Sequence, residues 1–302
     1  MLGISIIIPC YNTGVFLKEA INSILEQPII HDYEIILVDD ASNDYETLQI
    51  IKELQKRKNI KIITNTSNKG VQYSRNKGLL GAKYDYIMML DSDDKLNIDS
   101  KVLANGTYLD LGITRLISNQ DIAFIHCISE MFDLFCGYTI SSYPLTEELV
   151  IKKHHVPTSI IYRKIDAISS GMYDEKILKW QDWSFGVNLL NYRKKNGKKN
   201  QIAFLDESFH KYRIHLKTSR ISQGKVDEYQ MIKDTVLKNS EIFLDYFPGL
   251  SIEVISNYIF NNKPNRFDEL LYVAKNNIDI AKAIIIQRKY HLETNIDTYD
   301  VP

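Results

Sequence analysis

Cysteine is scarce in this chain. There are three in 302 residues, Cys10, Cys127 and Cys136, with no C-x-x-C pair. An odd, scattered set excludes a disulfide framework and points to reduced thiols in a reducing compartment. An excess of either charge is lacking too: 37 basic residues meet 38 acidic ones, for a formal net charge of −1. That balance leaves no global field for nucleic acid or an anionic membrane. No window approaches the ~20 apolar residues of a membrane-spanning helix. The opening "MLGISIIIPCYN" has a short apolar run with no basic segment before it, which makes a poor signal peptide. A cytoplasmic location is expected, with peripheral contact at the inner face of the membrane left open. Glycine-rich phosphate loops are missing as well. No G-x-G-x-x-G follows the first β-branched run and no G-x-x-x-x-G-K-[ST] occurs, which argues against Rossmann dehydrogenases and P-loop enzymes.

What is present is a regular alternation of periods. "ISIII" (4–8), "YEIILVDD" (33–40), "IKIIT" (60–64) and "YDYIMML" (84–90) are short runs of the kind buried on both faces of a sheet. Between them, Phe16, Leu17, Ala20, Ile21, Ile24 and Leu25 recur at helical spacing, as do Tyr45, Leu48, Ile51 and Leu54; a third helix is expected over about 71–82. This βαβαβαβ order predicts an α/β fold, a mostly parallel, Rossmann-like sheet flanked by helices. Ligands of such sheets bind at the carboxyl ends of the strands. Four polar clusters fall there: Tyr11/Asn12, Asp39/Asp40, Asn65–Gly70 and Asp91–Asp94. Further on, strands are expected at 122–128 and 159–163, a helix over 175–195, and an extended stretch over 202–215. Helical spacing returns from about Lys225.

"MLDSDD" carries three carboxylates, Asp91, Asp93 and Asp94, directly after an apolar run. Such a group suits a hard divalent cation, Mn²⁺ or Mg²⁺, which prefers carboxylate, water and phosphate oxygens. Alone, the cluster reads equally as acids complementing a helix N-terminus.

The ordered set "YNTGVFLKEAINSILEQ", "ILVDDASND", "NKGVQYSRNKGL" and "MLDSDD" resembles family 2-type inverting glycosyltransferases with the GT-A fold. The likeness is strong over about 1–100 and weaker over 155–222. It implies a GT-A domain over 1–222, with a nucleotide-binding half (1–100) and an acceptor-binding half (101–222), and a helical C-terminal region over 223–302. It implies a nucleotide-sugar donor, with Tyr11 stacking on the base, Asp39 reading a uracil edge, and Pro9, Asn12, Asn68 and Gly70 lining that site. Arg75 would assist near the base or phosphates and Arg213 near the diphosphate. Asp91 would contact the ribose, while Asp93 and His215, the latter from "YRIH", would hold the metal. Asp182, in "QDW", would be the general base. Where the family usually has Glu before that aspartate, this chain has Gln181, which puts acceptor recognition there in doubt. Plainer roles stay open: core packing for Tyr11, a cap for Asp39, an ion pair for Arg75, a first-turn acid for Asp182, a structural histidine for His215. Asp94 has no assigned role beyond capping a turn, and His154-His155 reads as loop or acceptor-side surface.

The resemblance implies UDP-sugar transfer to a saccharide or lipid-linked saccharide hydroxyl, with a β-linkage, in bacterial surface polysaccharide or glycolipid assembly. A non-catalytic sugar-nucleotide-binding scaffold and a sugar nucleotidyltransferase are the rivals. Trp180 and Trp183 are candidates to pack a sugar ring or the core. "RKKNGKK" (193–199) is a candidate for lipid headgroups or a solvated helix end, and the C-terminal helices for homodimer contacts or a cover over the acceptor cleft.

Overall fold

A computed structural model describes residues 1–134, 136–139, 143–153, 156–215 and 226–262, with the isolated positions 274, 278–279 and 281–282. His154, His155 and most of the chain beyond 262 therefore lie outside the described residues. The first half follows the expected alternation: β1 (Ile4–Cys10), α1 (Val15–Leu25), β2 (Tyr33–Asp39), α2 (Tyr45–Leu54), β3 (Ile60–Thr64), α3 (Val71–Gly81) and β4 (Tyr86–Met89). It continues with β5 (Lys95–Leu96), α4 (Tyr108–Ser118), β6 (Ile122–Asp133), β7 (Gly137–Tyr138), α5 (Glu147–Lys152), β8 (Ile161–Arg163) and α6 (Lys164–Ser169). Then come α7 (Gln181–Lys195), β9 (Gln201–Ile214), α8 (Glu228–Lys238), α9 (Ser240–Tyr246) and α10 (Ile252–Asn261).

One sheet runs in the order β3-β2-β1-β4-β8-β6-β9-β5. Its first four strands are parallel, as the βα alternation requires. Beyond β4 the sheet is mixed: β8 is antiparallel to both β4 and β6, and β9 is parallel to β6 but antiparallel to β5. The strict alternation of the sequence ends after β4, and the strict parallel order ends with it.

The two faces of the sheet are read off by alternation. Ile6, Ile8, Ile35 and Leu37 meet α1 and α2 through Leu17, Ile21, Ile50 and Leu54. Ile7, Ile36 and Val38 face the other way, against Leu79 of α3. Gly78 lets α3 approach this closely, because a Cβ there would stand 2.4 Å from Ile7 Cγ2.

The C-terminal helices share that second core. Ile232, Val236, Phe243, Ile255 and Ile259 belong to the same apolar cluster as Phe185, Leu189 and Leu190 of α7. A buried polar ladder reinforces the contact. Thr235 Oγ1 donates to Ser184 Oγ at 3.0 Å, Asn239 Nδ2 to Asn188 Oδ1 at 2.8 Å, and Asn191 Nδ2 to Asn239 Oδ1 at 3.2 Å. The helical stretch expected over 175–195 starts only at Gln181, where Trp180 takes a left-handed backbone (φ 63°, ψ 24°).

The basic run 193–199 is not a free cationic patch. Arg193 is buried and donates to Asp166 at 2.6 Å; Lys198 pairs with Asp166, Lys199 with Asp121, Lys194 with Asp245 and Lys195 with Glu241. Each of these basic side chains has a carboxylate partner within the fold, and the lysines among them are partly exposed. No helix among the described residues is long and apolar enough to cross a membrane.

Candidate active site

The carboxyl ends of β1, β2 and β4 open into a cavity of about 780 Å³. Most of the sequence-derived candidates line it: Pro9, Tyr11, Asn12, Asn68, Gly70, Arg75, Asp91, Asp93, Asp182 and Arg213. Asp39 and His215 are not part of this wall.

The β1 end holds Tyr11 at the rim with 43% of its surface exposed, so core packing is not its role. Asn12 ties the loops together. Its side chain accepts from the Asn43 and Asp44 amides at 2.8 and 3.2 Å and donates to Asn43 Oδ1 at 2.8 Å. At the β2 end the two acids divide. Asp39 is buried and accepts from the Ser42 amide at 3.0 Å, while Asp40 reaches the cavity wall. Asp40 accepts from Asn65 Nδ2 and from the Lys69 and Gly70 amides, at 2.7, 2.9 and 2.8 Å. Sequence reasoning gave Asp40 no role. In the fold it holds the 65–70 loop, with Gly70 at φ 92° before α3.

Helix α3 buries polar residues, Gln72, Ser74, Arg75 and Asn76, on its inner face. Gln72 and Asn76 donate to the carbonyls of Ile177 and Tyr173 at 2.6 and 2.9 Å, holding the segment that leads into α7. Arg75 lies between two acids. Nη1 donates to Asp182 Oδ1 at 2.7 Å and Nη2 to Asp91 Oδ1 at 2.8 Å, with the guanidinium 5.1 Å from the Tyr173 ring centroid. Burial alone would favour its neutral form, but the two carboxylates outweigh that and hold it protonated. In place of the plain surface ion pair that the sequence also allowed, a buried guanidinium meets two partly exposed carboxylates on the cavity wall.

Asp182 sits in the first turn of α7, and its second oxygen accepts from Thr158 Oγ1 at 2.9 Å. Burial pushes its carboxyl above the ordinary range; Arg75 and the Thr158 hydroxyl oppose the rise and the Asp91 charge adds to it. Thr158 precedes β8 and belongs to no motif in the sequence.

The 91–94 segment is a tight turn, with the Asp94 amide donating to the Asp91 carbonyl at 3.0 Å. His215 Nε2 lies 3.0 Å from Asp93 Oδ2, and its ring packs 4.9 Å from Phe16. Asp94 has a structural role. It is buried, accepts from the Arg213 amide at 2.8 Å, and lies 3.2 Å from His210 Nε2. Burial, opposed by the histidine, lifts its carboxyl to about 6. Arg213 lies between the rings of Phe16 and Phe132 and donates to the Asp93 carbonyl, Asp133 and Glu19 at 2.7, 3.3 and 2.6 Å. Its guanidinium braces the Asp93 turn.

Asp93 and His215 are two adjacent donors, one oxygen and one nitrogen, of the kind a divalent cation takes. Among the described residues no group of three or more His, Cys, Asp or Glu could hold a metal. The donor pair therefore fits an ion completed by substrate oxygens and water, not one caged by protein. Trp183 is buried, its indole nitrogen donating to the Val150 carbonyl at 2.7 Å, so of the two tryptophans proposed to pack a sugar it serves the core.

Comparison with known proteins agrees with this picture. The model of glycosyl transferase family 2 matches residues 5–102. An uncharacterized glycosyltransferase of Methanocaldococcus jannaschii is 30% identical over 272 residues, covering 85% of this chain and 88% of the relative. The chain belongs to glycosyltransferase family 2. TarP of Staphylococcus aureus, a poly(ribitol-phosphate) β-N-acetylglucosaminyltransferase, is 41% identical over 99 residues, 32% of this chain and 30% of its own. TarS of S. aureus, solved in complex with UDP-GlcNAc, superposes with a TM-score of 0.63 at 17% identity, covering 97% of this chain and 92% of that one. A mannosyltransferase of Pyrobaculum calidifontis, in complex with GDP-Man and Mn²⁺, gives 0.55 at 11% identity, covering 98% and 84%. The fold is GT-A, and the protein is a glycosyltransferase.

Proposed function

We propose that this glycosyltransferase moves a sugar from a UDP-sugar to a hydroxyl of a saccharide or lipid-linked saccharide, inverting the anomeric centre to give a β-linkage. The observation that carries the reading is the placement of Asp182, Asp91 and Asp93 on one cavity, with Arg75 joining the first two. Asp182 is the general base. It takes the acceptor hydroxyl proton while the acceptor oxygen bonds to the anomeric carbon, and the bond from that carbon to the diphosphate breaks with its electrons leaving on UDP. Arg75 and Thr158 each engage one Asp182 oxygen, which fixes the carboxylate and leaves lone pairs for the incoming hydroxyl.

On the donor side, Tyr11 offers its ring to the base, Asn12, Asn68 and Gly70 shape the wall, and Asp91 receives the ribose. Asp39 is proposed to reach the uracil edge. Its present bond to the Ser42 amide makes that contact dependent on the 39–42 turn. Arg75, Lys179 and Arg213, the cations on the described wall, are each paired with carboxylates. That pairing supports a divalent cation, Mn²⁺ or Mg²⁺, held by Asp93 and His215. When bound, it supplies positive charge to the leaving diphosphate. Relatives named as poly(ribitol-phosphate) glycosyltransferases and as a poly-β-1,6-N-acetyl-D-glucosamine synthase support a setting in bacterial surface polysaccharide or glycolipid assembly. Peripheral contact with a membrane and pairing of two copies through the C-terminal helices belong to the same proposal.

The test is UDP release from a panel of UDP-sugars, with and without Mn²⁺ and with and without acceptor oligosaccharides. Release of UDP from one donor, faster with acceptor, is expected. Pyrophosphate release from a nucleoside triphosphate and a sugar phosphate would identify a nucleotidyltransferase. Binding without turnover would identify a scaffold.

A further inference from the structure

The donor residues and acid cluster account for one side of the cavity. The other wall is built from Val156, Thr158, Lys179, Trp180 and Gln181. Two observations about it are independent of the donor site.

The first is conformational. Trp180 holds φ 63°, a left-handed backbone that glycine or asparagine adopts readily and a bulky residue rarely does. Its carbonyl accepts from the Ser184 amide at 2.9 Å, so this turn starts α7 and sets the indole two residues before Asp182. The ring is partly buried against the main apolar cluster and also lines the cavity, so this strained turn holds an aromatic side chain beside Asp182.

The second is electrostatic. Lys179 Nζ stands 5.7 Å from the Trp180 ring centroid, and its charge is met by Glu228 of α8 at 2.5 Å. The rest of the wall is a valine, a threonine hydroxyl and the neutral amide of Gln181. Among the described residues this wall holds no unpaired cation to meet a phosphate. A chain of polyol phosphates, the polymer in the names of relatives such as TarP, repeats an anion and calls for unpaired Arg or Lys. A sugar ring instead offers an apolar C–H face to an indole and hydroxyls to an amide.

We propose that Trp180 and Gln181 form the acceptor subsite and that its ligand is a neutral saccharide. The sugar ring stacks on Trp180, and the Gln181 amide hydrogen-bonds the hydroxyls beside the one presented to Asp182. This rests on the glycosyltransferase reading above.

The experiment uses the full chain with the UDP-sugar identified by the donor panel, and compares neutral oligosaccharides with poly(ribitol phosphate) as acceptors. Neutral acceptors are expected to be preferred. Trp180→Ala is expected to raise the acceptor KM about tenfold or more, while UDP affinity, measured by calorimetry, stays within about twofold. Trp180→Phe is expected to restore most of the loss. Preference for the polyanion overturns the proposal, as does an acceptor KM that Trp180→Ala leaves unchanged. Equal losses in Trp180→Phe and Trp180→Leu overturn it too; that pair serves if the alanine variant does not fold. Absence of UDP release from every donor in the wild type overturns the donor reading itself, and the subsite with it.

Discussion

The buried Arg75 guanidinium pairs with the partly exposed Asp182 carboxylate at 2.7 Å and holds Asp91 at 2.8 Å. One planar cation thus fixes the proposed base relative to the acid turn that faces the donor. Lysine carries the charge but is a point donor without the fork that meets both carboxylates. Arg75→Lys is expected to lower kcat by about 10–100-fold, the loss of a charged hydrogen bond, with a smaller change in UDP affinity. Steady-state kinetics and calorimetry on one preparation check the split.

Asp182→Asn keeps the shape of the side chain and removes its basicity. UDP binding is expected to persist while transfer falls by about 10²–10⁴-fold, the usual range for a lost general base. Unchanged turnover would remove Asp182 from the mechanism.

The sign of the pH dependence follows from the Asp182 environment. Burial raises its carboxyl above the ordinary 3.8, and the base works only when ionised. Activity is therefore expected to fall on the acid side at a pH above the usual carboxylate range. The Thr158 hydroxyl favours the ionised form, so Thr158→Val is expected to move that acid limb to still higher pH. Stability runs the other way. A carboxyl raised on folding binds its proton more tightly in the native state, so its cost to stability at neutral pH is relieved as pH falls through the folded value. A kcat/KM profile of both proteins measures the shift.

Removing either donor of the proposed metal pair is expected to weaken the Mn²⁺-dependent part of UDP binding. Calorimetry on Asp93→Ala and His215→Ala, with Mn²⁺ and with chelator, reads it. Equal affinities with and without the ion in the wild type would exclude the role.

Asp94→Ala is expected to destabilise the fold by about 1–3 kcal/mol, the range for leaving buried hydrogen-bonding groups without a partner. It strips the Arg213 amide and His210 of their shared partner. Thermal melts should show this loss, whereas Asp99→Ala in the exposed turn nearby should sit close to wild type.

The parts legible in the sequence are those whose cause is local. The β-branched runs and helical stripes of the first ninety residues are spaced by their own geometry, and β1 to β4 follow them. Tyr11, Asp91 and Asp93 reach one cavity because strand ends converge there, and Arg75 and Asp182 come to it from α3 and the first turn of α7. The illegible parts join distant segments. Arg213 meets Asp94 across 119 positions, and its bonds to Glu19 and Asp133 have no trace in local pattern. Which of Asp39 and Asp40 faces the cavity depends on the turn after β2, which two adjacent aspartates do not reveal. Thr158 comes from a stretch without periodicity, and only the meeting of that stretch with α7 gives its hydroxyl a partner. Trp183 follows Trp180 by one helical turn, yet it points into the core because α5 lies over it.

The ladder between α7 and α8/α9 bears on how such enzymes can be recombined. Ser184, Asn188 and Asn191 project from the helix that begins with the Asp182 turn, and they are completed by Thr235 and Asn239. A chimera that joins residues 1–222 to a foreign tail inherits three buried polar side chains in want of partners. Such a chimera is expected to melt below the parent unless the graft brings a hydroxyl at 235 and an amide at 239.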